Sequence, residues 1–393
     1  MFFDSRPSVL LLSRDPGGAN TVIPLIEPLT EAGFSVNLWG KDVALQKYEQ
    51  AGYTGQDIRF VLDPLDAEAL KVWLFREKPA FIITGTSGDD RVENHVWRAA
   101  RECGIPTAAI LDQWMSYGIR FSPYGVSQMQ AYQADPDHSW CPDTIFVMDD
   151  EARSRLIALG FLPEQVLITG QPYFEWIQTQ WAQKAPNAQQ IQKQKKGIQP
   201  HERVITFVSE PLSQIYHDSK GSVNLGYTEK TTITAFLQTL DTLSKSEPEN
   251  HWVVLIKLHP RENPENYTGL MEAFEHPRIR LLVDQQTPPW DILALTDGFI
   301  GMSSMLLIEA FIVNKPLLSI QIGLNQADPF VLSKRKLVSV VTDKTELASQ
   351  LTPFLQAVGR QKNISSLPDV FTQRSVESIV RFVTQHLNTC HRI

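Results

Sequence analysis

A basic surplus, paired cysteines and long apolar runs are all missing from this 393-residue chain. Its 36 Lys and Arg stand against 44 Asp and Glu, a formal net charge of −8, so no cationic face is at hand to displace counterions from a nucleic acid, and none is expected as a partner. A small anion pocket needs only a few oriented donors and is not excluded. Cys103, Cys141 and Cys390 are scattered and odd in number, which rules out a disulfide framework and fits a reduced, cytoplasmic protein. His138, His217 and Cys141 have no companion at metal-ligand spacing, and no Asp-x-Asp triplet stands at a strand end. No metal site is therefore expected. The opening stretch MFFDSRPSVLLLSRDPGG carries an acid at position 4 and only a short apolar run. That is too little for a signal h-region or an integral membrane segment.

What is present is an ordinary globular composition, 42% hydrophobic and 20% charged, in a chain long enough for two cores. Short β-branched runs at 8–13, 34–39, 58–62, 80–84, 107–111, 144–148 and 165–169 alternate with amphipathic stretches at 19–31, 67–77 and 90–102. Such alternation predicts a parallel sheet flanked by helices. The long segment 112–142 breaks the rhythm and reads as a functional loop or lid. Residues 181–199, with six glutamines and four lysines, read as a solvated helix or linker. Strands are then expected at 204–208, 252–258, 279–283, 299–302, 316–321 and 337–341, with a capping box at Asp343–Glu346 and a last helix over 374–387. The fold class is α/β: two Rossmann-like domains facing a cleft, at 1–172 and 204–370, with a linker at 173–203. A C-terminal helix, 371–393, is placed to cross back to the first domain.

Three motifs carry chemistry. Ser13-Arg-Asp-Pro-Gly-Gly-Ala-Asn20 joins the first strand to a helix. Gly17 and Gly18 admit a ligand to the backbone, and Asp15 suits a base or hydroxyl binder better than a pyrophosphate contact. Spacing does not match the dinucleotide fingerprint, which speaks against a dehydrogenase. Trp252-Val-Val-Leu-Ile-Lys-Leu-His-Pro260 reads as a central strand delivering His259 to its carboxyl end, where ligands of open α/β sheets bind; Lys257 or Arg261 adds charge. In Gly301-Met-Ser-Ser-Met-Leu-Leu-Ile-Glu309, Ser303 and Ser304 open a helix and form a neutral phosphate cradle, with Glu309 within reach of a ribose. Each feature has a plainer alternative: Asp15, or Ser303 or Ser304, as a helix cap, His259 as structural, Glu309 as a surface residue.

The order of His-Pro, then Ser-Ser and Glu-Ala, resembles the C-terminal domain of glycosyltransferase-B (GT-B) enzymes. It is most similar to the branch of bacterial sialyl- and polysialyltransferases and of capsule-polymer or glycerol-phosphate transferases; the UDP-N-acetylglucosamine 2-epimerases share the architecture. Thr169-Gly-Gln-Pro-Tyr173 and Val208-Ser-Glu-Pro-Leu212 resemble segments flanking the interdomain linker in these families. The resemblance implies that His259 contacts the donor phosphate, that Ser303 and Ser304 hold phosphate oxygens and that Glu309 holds the ribose; Lys257 and Pro260 join the expected donor side from their place at the strand end. The chain departs from the transferases in having Asp89-Asp90-Arg91 in place of an acid-acid-glycine motif. It departs from the epimerases in lacking their glycine pair and double glutamate.

An inverting transfer needs a base for the acceptor. Asp112 and Asp15 are the candidates, with Asp89 as outsider, and Gly17, Gly18, Asn20, Trp114 and Arg120 form the expected acceptor side. The leading expectation is an inverting, metal-independent glycosyltransferase of polysaccharide biosynthesis. It would move a sugar, sialic-acid-like units included, from a nucleotide-activated donor to a glycan or small-molecule acceptor, with no cofactor beyond its nucleotide-sugar substrate. A homo-oligomer is compatible with this. Two alternatives stand beside it: a nucleotide-sugar 2-epimerase or hydrolase, which needs several carboxylates and no acceptor, and a non-catalytic glycan- or partner-binding module.

Overall fold

A computed structural model describes residues 6–61, 66–217, 225–246, 249–360 and 367–390. The chain forms two compact units, Met1–Trp176 with Leu367–Ile393, and Ile177–Ser366. Each is a Rossmann-like α/β unit built on one parallel sheet, as the alternating pattern predicts.

The first sheet has seven strands: β1 (Ser8–Ser13), β2 (Ser35–Gly40), β3 (Gln56–Asp57), β4 (Phe81–Thr84), β5 (Thr107–Ile110), β6 (Thr144–Val147) and β7 (Val166–Ile168). Their order is β3-β2-β1-β4-β5-β6-β7. Val9–Leu12 is continuously apolar because both faces of the sheet are covered. Val9 and Leu11 enter one core, Leu10 and Leu12 the other. The first core is completed by Ile379, Val383 and Leu387 of the helix Ser375–Cys390, which returns to this unit from the far end of the chain. Phe382 of that helix meets Phe146 edge-on at 5.2 Å. The strand expected at 58–62 is a correction. Pairing stops at Asp57, whose carboxylate accepts the Arg59 N–H at 2.9 Å and turns the chain into a short 3-10 helix; Leu62 lies outside the described residues.

The second sheet has six strands: β8 (Arg203–Val208), β9 (Trp252–Lys257), β10 (Ile279–Asp284), β11 (Gly298–Gly301), β12 (Leu317–Ile320) and β13 (Val340–Val341), in the order β10-β9-β8-β11-β12-β13. The glutamine- and lysine-rich stretch belongs to the helix Pro172–Lys195. It is tied down by Gln189 and Lys193, which donate to the Asp297 carboxylate at 2.7 and 3.2 Å. Among the described residues no helix is long and apolar enough to cross a membrane.

Candidate functional site

In the first unit the sheet order reverses between β1 and β4, and there the loops after β1, β4 and β5 converge. The turns after β1 and β4 touch through backbone: a Cβ on Gly85 would lie 2.3 Å from the Gly18 Cα. Only glycine permits that approach. Gly17 is pressed the same way, since a Cβ there would sit 1.9 Å from Asp112 Oδ2. The structure thus brings Asp112, at the end of β5, onto the glycine turn at the end of β1. Asn20 follows on the same helix, half-buried.

Asp112 is 7% exposed and Arg120 3%. Arg120 Nη1 lies 2.9 Å from Asp112 Oδ1, and Thr86 Oγ1 donates to the same oxygen at 3.2 Å. Burial raises the Asp112 pKa against the opposing pull of Arg120, and nearby Asp15 adds to the rise. Asp15 itself heads the helix Pro16–Val22 without a side-chain cap bond. Its carboxylate instead accepts from Arg14 Nη1 at 2.7 Å and from the Gly88 N–H at 2.8 Å, joining the turns after β1 and β4. Trp114, expected as a sugar-stacking face, is 6% exposed, stacks on Phe174 at 5.7 Å and donates to Asp149 at 2.7 Å. Asp90 pairs with Lys41 at 2.5 Å and accepts the Val92 N–H, while Asp89 accepts the Ser127 N–H. Arg91 ties down the long loop by donating to the carbonyls of Ile119 and Ser122.

Sequence reasoning missed Glu93. It is fully buried in the first turn of the helix Val92–Glu102. One oxygen accepts from the Arg14 N–H at 3.1 Å and from Ser87 Oγ at 2.7 Å, while the other has no hydrogen-bond partner. Burial pushes its pKa up to about 7. The signal was available: Glu93 shares a helical stripe with the buried Trp97 and Ala100, at spacings of four and seven, where an acid is out of place.

In the second unit His259 emerges half-buried at the end of β9. Its Nδ1 accepts the Arg261 N–H at 3.1 Å, so the neutral ring carries its proton on Nε2 and presents a donor. Burial and Arg261 hold its pKa down at about 4. Pro260 is exposed beside it. Lys257 is committed elsewhere, donating to the carbonyls of Gln285 and Thr287 at 2.7 Å each. Ser304 caps the helix Met305–Ile312, its Oγ accepting from Leu306 at 3.3 Å. Glu309 on that helix is buried rather than a surface residue. The Ser303 N–H and Oγ donate to the two carboxylate oxygens of Glu210, at 2.7 and 3.0 Å. Glu210, inside the segment Val208–Leu212 and 93 residues from Ser303, was not singled out as a site residue. The side chain of His217 lies outside the described residues. Among the described residues no three His, Cys, Asp or Glu are grouped to hold a metal.

No protein-family model matches this sequence, and no curated protein is significantly similar to it. Solved structures do match. The UDP-GlcNAc 2-epimerase of Neisseria meningitidis bound to UDP-GlcNAc is similar at TM-score 0.68 and 14% identity, over 96% of this chain and 100% of that one. The UDP-GlcNAc 2-epimerase of Methanocaldococcus jannaschii gives 0.67 and 12%, over 96% and 99%. Staphylococcus aureus MnaA, solved with UDP, gives 0.62 and 14%, over 97% of each. At these identities the likeness is one of fold, the GT-B-like architecture of two Rossmann-like units. It corrects the enzyme class expected from the motifs. These similar structures include named UDP-GlcNAc 2-epimerases and not the glycosyltransferases expected from the motifs, so the glycosyltransferase reading is set aside.

Proposed function

We propose that this chain is a nucleotide-sugar 2-epimerase or hydrolase, which works on one activated sugar and needs no acceptor. The observation that supports it most is the gathering of Asp15, Glu93 and Asp112 at one end of the first sheet, two of them with raised pKa values. Inverting C2 of a nucleotide sugar by proton transfer requires one group to take the C2 proton while the electron pair expels the nucleoside diphosphate from C1, and another to return a proton to the opposite face as the C1–O bond re-forms. A carboxylate whose pKa is raised by burial, as at Asp112, suits that work. Asp112 and Asp15 retain some exposure and are the proposed proton-transfer groups. Arg120 holds Asp112 in place, and Gly17 and Gly18 let the turns after β1 and β4 and the Asp112 carboxylate close on one another. On the second unit, His259 Nε2–H and the donors of Ser303 and Ser304 are proposed to hold the diphosphate, with Glu309 near the ribose.

UDP-GlcNAc is the first substrate to test, since it is the ligand or namesake substrate of the similar structures. The chain incubated with UDP-GlcNAc alone should yield its C2 epimer, or free UDP and sugar, followed by proton NMR. Tight binding with unchanged UDP-GlcNAc would instead assign a non-catalytic binding module.

A further inference from the structure

The strand order β10-β9-β8-β11 puts the loop after β8 between the loops after β9 and β11. Glu210 lies in that loop, followed by Pro211, and its carboxylate takes both donors of Ser303. The Ser304 N–H also pulls on it. These are the donors proposed above for a nucleotide's phosphate, and they already hold a carboxyl group. Burial raises the Glu210 pKa and these donors lower it; all of them are neutral, so its charge is hydrogen-bonded without being cancelled. A second carboxylate, Glu262, stands close enough to repel it. Glu262 is itself held firmly by Ser209 Oγ, Tyr267 OH and the His259 N–H, at 2.7, 2.8 and 2.7 Å.

We infer that Glu210 competes for the phosphate seat and must be displaced for a nucleoside diphosphate to bind. This rests on the reading that the second unit takes the nucleotide. The Ser303 amide has one hydrogen and cannot serve two anions, and a carboxylate and a phosphate at contact distance repel one another. A ligand carrying nucleoside and sugar brings further contacts to drive the exchange. Inorganic phosphate or pyrophosphate does not, so Glu210 keeps the seat clear of the small anions of the cell.

The test is calorimetric titration of the full chain with UDP, inorganic pyrophosphate and uridine, before and after Glu210→Gln, which keeps the shape and removes the charge. UDP and pyrophosphate should bind the variant about tenfold tighter or more, with uridine binding unchanged, because a repulsive contact is gone. Glu210→Asp, one methylene shorter and unable to reach Ser303 as well, should also tighten both, and it serves if the first variant does not fold. If the parent binds UDP and the variants bind it equally or more weakly, Glu210 is a structural brace and the inference fails alone. If neither parent nor variants bind UDP or pyrophosphate at millimolar concentration, the nucleotide reading fails and takes the inference with it.

Discussion

Replacing Glu93 by glutamine should stabilise the protein at neutral pH, although it alters a fully buried, hydrogen-bonded residue. Glu93 accepts two hydrogen bonds on one oxygen and has no hydrogen-bond partner for the other. Glutamine reproduces the accepting oxygen and otherwise mimics the protonated acid. Burial moves the carboxyl from its ordinary 4.5 to about 7. The folded state therefore keeps a proton that the unfolded chain releases as pH rises past 4.5, so unfolding stability falls as pH rises and levels off above 7. With about 1.4 kcal/mol for each tenfold change in proton affinity, the full effect comes to about 3.5 kcal/mol. Urea unfolding of parent and Glu93→Gln between about pH 5 and 8 reads this directly, through a probe in the first unit. The two should be similar near pH 5 and diverge above it, with the variant the more stable by about 2–3 kcal/mol at pH 8. A variant less stable than the parent at pH 8 would mean that Glu93 is ionised in place and held by charge.

Asp112→Asn leaves Arg120 buried without its counter-charge and should destabilise the first unit by about 3 kcal/mol. Adding Arg120→Met should recover part of that loss in urea unfolding, and strictly additive losses would show that the pair is not coupled. His259→Ala removes one donor to a phosphate and should weaken UDP binding about tenfold, with little change in melting temperature. Because the ring is held near a pKa of 4, its contribution to UDP binding should not titrate between about pH 5.5 and 8. A His259-dependent inflection near pH 6.5 would place the ring in water rather than in the fold.

The strands were legible for a physical reason. Val9–Leu12 and Val253–Ile256 face helices on both sides, so their apolar runs are unbroken and easily recognised. The edge at β3 was not legible, because a two-residue strand ended by the Asp57–Arg59 contact leaves almost no pattern. His259, Ser303 and Ser304 could be placed at strand ends from sequence, since strand termini are local features. What each side chain touches is not local: Ser303 meets Glu210, Gly17 meets Asp112, and Glu93 meets Arg14, each across a different loop. The enzyme class was misread for the same reason. A phosphate-binding edge suits a transferase and an epimerase equally well, and the distinction rests on how many carboxylates the first sheet collects. One of the three, Glu93, sits on a helix face where charge was not sought.

Proton transfer at carbon 2 of a nucleotide sugar is the central claim, and exchange with solvent tests it most directly. UDP-GlcNAc incubated with the chain in deuterium oxide should gain one deuterium at C2, in recovered substrate or in product, read by mass spectrometry and by loss of the C2 proton signal. Asp112→Asn should abolish that gain while UDP still binds. A substrate that is bound with its C2 proton fully retained would contradict epimerisation; cleavage to UDP with that proton retained would leave hydrolysis as the activity.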